Sequence, residues 1–159
     1  MEPLVTPEQL EPFGGLLPPA KVEAAAAQVR ALCGWHIAPV ITETVHVDSE
    51  GGTLLVLPTL RLVELVSVTD VDGNELDDVS WSRHGYLRRT QRFPEGPRAV
   101  EVTMRHGYDT VPADLLGAIA ERTSRRVLQE SLGSRSVSYA VDDPSTGGTL
   151  SLYRLGPRP

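Results

Sequence analysis

The spacing of apolar residues changes twice along this chain, and this change constrains the fold more than any other feature. From about Pro18 to Trp35, apolar residues recur every three or four positions, which predicts an amphipathic helix. From Val40 to Tyr108 they alternate with polar residues, as expected for half-buried β-strands. The helical spacing returns at Val111-Pro112 and continues to Gly133. The sequence therefore predicts an α+β fold, with a helix on each side of a β-rich insertion.

The two helices are predicted over about 18–34 and about 111–131. Proline residues at the start of the first suit a helical turn whose N–H groups have no partner within the helix. Asp114 lies in the first turn of the second, where a negative charge is favourable. A short helical turn is also predicted after Thr6, with Gln9 completing a capping box. The predicted buried positions are Val22, Ala25, Ala26, Val29, Leu32 and Cys33 in the first helix, and Leu115, Leu116, Ile119, Ala120, Thr123 and Val127 in the second.

The insertion at about 40–108 is predicted to contain five or six short antiparallel strands arranged as a meander. Turn residues separate the apolar runs at 49–52 and 72–74, and His84-Gly85 predicts a hairpin. Because apolar residues alternate with polar ones, one face of the sheet should be packed and the other exposed to water. We expect the helices to cover the packed face.

The C-terminal segment differs in composition from the rest of the chain. From Ser134 onward it is rich in Ser, Gly and Pro, with an apolar island at Thr149–Leu155 that is too short to form a core by itself. The sequence predicts one folded domain at 1–133 and an extended arm at 134–159. We expect the arm to become ordered on a partner, with Leu150–Leu155 adding a strand to the partner's sheet.

Charge is distributed unevenly along the insertion. The whole chain has a formal net charge of −6, which argues against a dedicated nucleic-acid-binding protein. Between Thr42 and Ser82, nine acidic residues accompany one arginine, whereas 83–98 contains five arginines and one glutamate. This polarity is compatible with head-to-tail self-association, but charge alone favours two solvated hairpin surfaces.

Motifs for catalysis or cofactor binding are weak. The sequence contains no phosphate-binding loop, dinucleotide fingerprint, nucleophile elbow or zinc-protease motif. Cys33 and His36, with His46 and Asp48, lack the paired spacing typical of a zinc site. Arg-His-Gly-Tyr occurs at 83–86 and again at 105–108, which we interpret as turn chemistry after a strand. We therefore predict no catalytic residue, cofactor or metal, and name His84 and His106 as the residues to test for an enzyme.

The cysteine content, the length of the apolar runs and the N-terminal segment indicate the cellular compartment. The single cysteine excludes an internal disulfide and suits a reducing cytoplasm. No apolar run approaches the roughly 18–20 residues that span a bilayer, and the segment Met1–Leu17 lacks the pattern of a signal peptide. We expect a soluble protein with no membrane partner.

The segment Val100–Ala118 resembles the head-to-tail adaptor (connector) family of long-tailed bacteriophages. Its features are a last strand that ends in Gly107-Tyr108, followed by Val111-Pro-Ala-Asp-Leu115 at the start of the final helix. The apolar strands at 54–57 and 62–71 resemble the inserted sheet of the actinobacterial-phage members, and Leu152-Tyr-Arg-Leu155 resembles their C-terminal arm. The resemblance covers nearly the whole chain, but it is a resemblance of architecture.

This resemblance implies a structural virion protein of the neck. It would assemble in the host cytoplasm as a homo-oligomeric ring, commonly of about twelve subunits closed by one repeated interface. The ring would bind the portal protein on one side and a stopper or tail-side protein on the other, with double-stranded DNA passing through without sequence-specific binding. Open alternatives are another neck component, such as a stopper or tail-joining protein, and a non-viral interaction module with a C-terminal linear motif. The predicted contact residues are Leu150, Leu152, Tyr153, Arg154 and Leu155 in the arm, and Arg83, Arg88, Arg89 and Arg92 at the ring interface.

Overall fold

A computed structural model describes residues 3–14, 17–131 and 148–156. These residues form α-helices and antiparallel sheets, so the α+β prediction is confirmed. Their contacts divide the chain into two compact units: a β unit, His36–Asp109, and a helical unit formed by the described residues on either side of it. Most of the predicted arm lies outside the described residues, and the predicted limits 1–133 and 134–159 stay predictions.

The helical unit contains three α-helices within the described ranges: α1 (Pro7–Gly14), α2 (Pro19–Cys33) and α3 (Ala113–Ser131). Helix α3 packs against both α1 and α2. The turn predicted after Thr6 is α1, and the Thr6 N–H donates to Gln9 Oε1 at 2.9 Å, as one half of a capping box requires. None of the described helices is long and apolar enough to cross a membrane.

The predicted apolar stripes form the core of this unit. Leu32 and Leu116 are only half-buried, and the side chain of Val127 lies outside the described residues. The remaining predicted positions are confirmed: Val22, Ala25, Ala26, Val29 and Cys33 of α2 and Leu115, Ile119, Ala120 and Thr123 of α3 are buried.

The β unit consists of two three-stranded antiparallel sheets, here called the large and the small sheet. The large sheet has the order β1-β6-β3 and the small sheet the order β2-β5-β4. The strands are β1 (Ile41–Glu50), β2 (Leu54–Val56), β3 (Leu62–Asp70), β4 (Val79–Trp81), β5 (Tyr86–Arg89) and β6 (Glu95–His106).

The strand order is not that of a meander, so this part of the prediction was wrong. Strand β6 lies between β1 and β3, which are distant from it in sequence, and the hairpin through His84-Gly85 is the one pair that joins consecutive strands. Turn residues specify where the chain reverses, but they do not select the strand against which it packs. The long alternating strands match each other because their side chains can form cross-strand pairs along most of their length.

The core of the β unit lies between its two sheets. Val100, Val102 and Met104 alternate along β6 onto the inner face of the large sheet and are fully buried. The predicted one-sided packing is therefore correct, but the expected helical cover is replaced by the small sheet. Side chains from the small sheet and the loops next to it complete the core: Leu55, Leu57, Leu87 and Phe93.

The repeated Arg-His-Gly-Tyr motif marks two close backbone approaches. Gly85 has a φ of +81°, and a Cβ placed there would lie 2.5 Å from the Thr59 carbonyl oxygen. Gly107 has a φ of +115°, and its Cβ would lie 2.8 Å from the Pro39 carbonyl oxygen. Both glycines follow a histidine at a turn, which supports turn chemistry as the reason for the repeat.

The close approach at Gly85 makes a test of the hairpin. Replacing Gly85 by alanine should cost about 1–2 kcal/mol for the left-handed backbone and about 1–3 kcal/mol more for the clash with Thr59. Gly73→Ala is the matched control, because its φ is +83° with no atom within 4 Å of the added Cβ, so it should cost only the backbone term. Urea denaturation measures both variants, and equal losses of stability would contradict the steric argument.

Candidate functional site

The C-terminal island, Thr149–Leu155, lies against the helical unit. Thr149–Tyr153 form a 3₁₀ helix that contacts both α2 and α3. Its first turn is closed by Ser151, whose N–H and hydroxyl both donate to the Gly148 carbonyl, at 2.9 and 2.7 Å. Within this chain the island is therefore a short helical turn and not a strand. The strand that Leu150–Leu155 would add to the sheet of a partner stays a prediction. Ser151 thus offers the backbone a local hydrogen bond that competes with an extended conformation.

Hydrogen bonds from Tyr153, Trp35 and Leu155 attach the island to its own unit. The Tyr153 hydroxyl donates to the Asp114 carboxylate, 2.9 Å from each oxygen. The Trp35 indole N–H donates to the Tyr153 carbonyl at 2.7 Å, and the Leu155 N–H donates to the Cys33 carbonyl at 2.9 Å. The last bond satisfies a carbonyl at the C-terminal end of α2 that has no partner within that helix.

Sequence reasoning missed the residues that hold the island. In the sequence, the helix dipole alone accounts for Asp114, and Trp35 only marks the end of the first helical period. Neither residue carries a local signal for contact with a segment that follows by more than thirty residues. Their pairing with the island is visible only in the tertiary structure.

The predicted arm residues divide into two groups by exposure. Tyr153 and Leu155 are half-buried and hold the island in place, and Leu150 is also half-buried. Leu152 is 74% exposed and Arg154 is exposed. The outer side of the island therefore presents one large apolar side chain and one cation to a partner.

The four predicted ring-interface arginines also differ in exposure. Arg83, Arg88 and Arg92 are exposed. Arg89, in contrast, has a side chain that is only 8% exposed and pairs with Asp78, Nε to Oδ1 at 2.6 Å. Its guanidinium also lies 5.4 Å from the centre of the Phe93 ring, a distance at which a cation is attracted to an aromatic face.

Asp78 and Arg89 together hold the loop that follows β5. The second Asp78 oxygen accepts the N–H groups of Thr90 and Gln91, each at 3.2 Å, and Arg89 Nη1 donates to the Arg92 carbonyl at 3.2 Å. The hydrogen bond from Arg89 is the first cause that lowers the pKa of the Asp78 carboxyl. Arg89 therefore serves the fold of the subunit, and the interface prediction stays for Arg83, Arg88 and Arg92.

The two histidines named for an enzyme test have different environments. His84 is exposed in the β4–β5 turn. His106 has a side chain that is 1% exposed, and its Nε2 lies 3.0 Å from Glu43 Oε2. Its ring centre lies 5.9 Å from that of His36, and its Nδ1 has no hydrogen-bond partner among the described residues. Burial lowers the pKa of His106, an effect that Glu43 opposes.

The positions of Cys33 and of the described side chains that could bind a metal support neither a reactive thiol nor a metal site. Cys33 is fully buried, and desolvation raises the pKa of its thiol despite the nearby Arg122 and Arg154. A buried thiol with a raised pKa is a poor nucleophile. Within the described ranges, no group of three or more His, Cys, Asp or Glu side chains could hold a metal ion.

Two chains from solved structures share this fold. A chain from the neck of the native gene transfer agent (GTA) particle, computed with C12 symmetry, matches with a TM-score of 0.66. It is 15% identical in sequence, and the match covers 99% of this chain and 93% of that chain. A chain from the neck of the empty GTA particle, computed with C6 symmetry, has a TM-score of 0.59, 15% identity and coverage of 96% and 91%. No protein-family model and no curated protein matches the sequence.

The attachment of the island is tested by removing one hydroxyl. Tyr153→Phe keeps the ring and deletes the hydrogen bonds to Asp114. The free energy that is needed to detach the island from α2 and α3 should therefore fall by about 0.5–1 kcal/mol. Hydrogen exchange at the Leu155 amide should then accelerate roughly two- to fivefold. Leu152→Ala alters an exposed side chain of the same 3₁₀ helix and should leave this amide unchanged. Equal exchange in the Tyr153→Phe variant and the parent would show that Asp114 does not hold the island.

The environment of His106 predicts a pH dependence of stability. Because burial lowers its pKa, the unfolded chain binds the proton at a higher pH than the folded one, and stability rises with pH in this window. The contribution is fully present above the ordinary histidine pKa of about 6.5 and is lost as the pH falls below it. Urea denaturation at pH values on either side of about 6.5 measures the difference. His106→Gln should flatten the slope, whereas His46→Gln, at an exposed position, should retain it; an unchanged slope in both would contradict the assignment.

Proposed function

We propose that this chain is a non-enzymatic structural subunit of the neck of a phage-like particle. The observation that carries the proposal is the fold shared with chains of GTA-particle necks over almost the full length of both partners. A match that covers 99% of this chain includes the helical unit and the β unit, and not one common motif alone. Since a shared fold by itself does not define a function, the proposal combines it with the resemblance to phage adaptors in the segment Val100–Ala118.

Within the neck, the role that we propose is that of the head-to-tail adaptor. The subunits would form a ring between the portal and the stopper or tail-side proteins, around the channel through which double-stranded DNA passes. The C12 and C6 symmetries of the two neck structures support a ring, because repeated heterologous contacts close only when the rotation between subunits divides a full turn. The net charge of −6 suits passage of DNA without binding to it.

The structure changes the proposed role of the C-terminal island. The island lies on α2 and α3, so its structure does not depend on the portal alone. Its outer side, with Leu152 and Arg154, is the part offered to the portal. An apolar side chain flanked by an arginine is a common composition at the centre of protein interfaces.

A second candidate is a stopper or tail-joining protein of the same neck. The fold that this chain shares with the two neck chains does not by itself assign a position between head and tail. The helical unit with its C-terminal island favours the adaptor, because we expect stoppers to be built mainly of β-strands. Direct binding to the portal distinguishes the two, since the adaptor would be the neighbour of the portal.

The test is reconstitution with purified portal protein. Electron microscopy of the mixture should show one added ring on the tail-side face of the portal. This ring should have the same rotational symmetry in all particles. Deleting Thr149–Pro159 should abolish this ring while the main thermal transition is kept, because the strands of the β unit pair with one another and the island's hydrogen bonds reach only the end of α2, Trp35 and the start of α3. Normal rings from the deleted chain would remove the island from the portal contact. No binding of the full-length chain to portal would contradict the adaptor role.

A further inference from the structure

The outer side of the small sheet carries an unusual set of exposed side chains. Directly opposite residues of an antiparallel pair share one face, so the pairs Leu54–Arg88 and Val56–Tyr86 lie on the same side. Leu54, Val56 and Tyr86 are 56%, 39% and 49% exposed, although their neighbours Leu55 and Leu87 are buried. We call these four residues (Leu54, Val56, Tyr86 and Arg88) the arginine face. Such a cluster of apolar and aromatic groups beside an arginine is typical of the centre of a protein interface.

Arg88 differs from Arg89 in that its side chain is exposed and the part of the chain that the structure describes offers it no ion pair. Arg89 points to the inner side and is held by Asp78, whereas Arg88 points outward and no carboxylate within the described ranges pairs with it. Its backbone carbonyl accepts the Ser80 hydroxyl at 3.1 Å, which fixes the strand but leaves the guanidinium available. A guanidinium in this position suits bidentate pairing with a carboxylate on a partner.

A second, different surface of the β unit has the complementary chemistry. A depression of about 210 Å³ lies between β3 and the segment that leads into β4; Val66, Leu76 and Val79 border it, and most of its solvent-accessible surface is polar. Glu75 and Asp77 are exposed and also line it. Val66 lies at a register irregularity of β3 and is 54% exposed. We call this surface the acidic depression.

We infer that the arginine face of one subunit docks into the acidic depression of the next copy of this chain in the ring. Arg88 would pair with Glu75 and Asp77, and apolar side chains of the small sheet would cover the exposed Val66 beside them. The occupant is a second copy because the chain itself carries both halves of a contact with opposite charge signs, Arg88 on one surface and Glu75 with Asp77 on the other. Because the two surfaces are different parts of one unit, their contact is heterologous, as a ring requires. This inference rests on the proposed ring function.

The inference also explains which part of the uneven charge matters. Most of the nine acids at 42–82 are spread over the unit, and Asp70 and Asp78 are occupied by the turns that they cap. Glu75 and Asp77 are exposed and line the depression beside the exposed Val66. Of the predicted interface arginines, Arg88 is the one that lies among exposed apolar side chains. Of the many charges in this part of the sequence, only Arg88, Glu75 and Asp77 would therefore lose contact with water in the proposed interface.

A charge-exchange experiment tests this contact. Arg88→Glu should lower the fraction of subunits in rings at least about tenfold, because like charges would then meet across the interface. Glu75→Arg with Asp77→Arg should have the same effect. The variant that combines all three changes should regain assembly to within about threefold of the parent, since the charges are exchanged and not removed. Chemical cross-linking and electron microscopy, with and without portal, measure the ring fraction.

The controls separate this contact from folding and from the function itself. Thr42→Glu adds an acid at an exposed position of β1 in the other sheet and should assemble like the parent. Circular dichroism and thermal unfolding establish that each variant is folded. If Arg88→Glu forms normal rings, or if the combined variant fails to regain them, the docking inference is overturned while the adaptor function stands. Rings that form normally but no longer bind portal would assign the arginine face to the portal instead and also overturn it. Absence of rings from the parent chain, even on portal, overturns the proposed function.

Discussion

The β unit depends on the position of β6 between β1 and β3. This strand is twelve residues long and pairs with both neighbours along most of its length. Because side chains alternate between the two faces of a strand, this one register sends Val100, Val102, Met104 and His106 inward and leaves Glu101, Thr103 and Arg105 on the polar side. A slip by one residue would exchange the two sets, so burial of the inner set fixes the pairing of the large sheet and the surface on which the small sheet packs.

The same alternation gives two consecutive arginines opposite tasks. Arg89 follows Leu87 on the inner side of β5, where Asp78 and Phe93 surround it and the loop after the strand is held by their contacts. Arg88 lies on the outer side, opposite Leu54. A buried arginine must have its charge and N–H groups satisfied within the subunit, whereas an exposed one keeps them for solvent or a partner. The sequence shows both residues only as neighbouring positive charges. It does not show that Arg89 stabilises the fold while Arg88 is free to contact another subunit.

The C-terminal island also has one side that contacts its own unit and one side that is exposed. Polar groups at the end of α2 and the start of α3 would otherwise face water, and the island supplies partners for both through Leu155 and Tyr153. Such bonds are individually modest in an exposed setting, so the island can be held in the subunit and still take part in a contact with another protein. The two units therefore offer separate surfaces: the outer side of the island for the proposed portal contact, and the small sheet with the acidic depression for the proposed contact between copies.

The sequence by itself determined the element types, most of the buried positions and the main turns, because period, capping residues and turn residues act over a few neighbouring positions. The stripe of α2, the apolar alternation of β6 and the hairpin at His84-Gly85 are examples. Only the tertiary structure decided that β6 is central, that a second sheet covers the large one, that Arg89 is internal and that the island is a helical turn held by Asp114 and Trp35. Each of these depends on a pairing between residues far apart in the chain, and local patterns show that a group needs a partner without specifying which distant group supplies it.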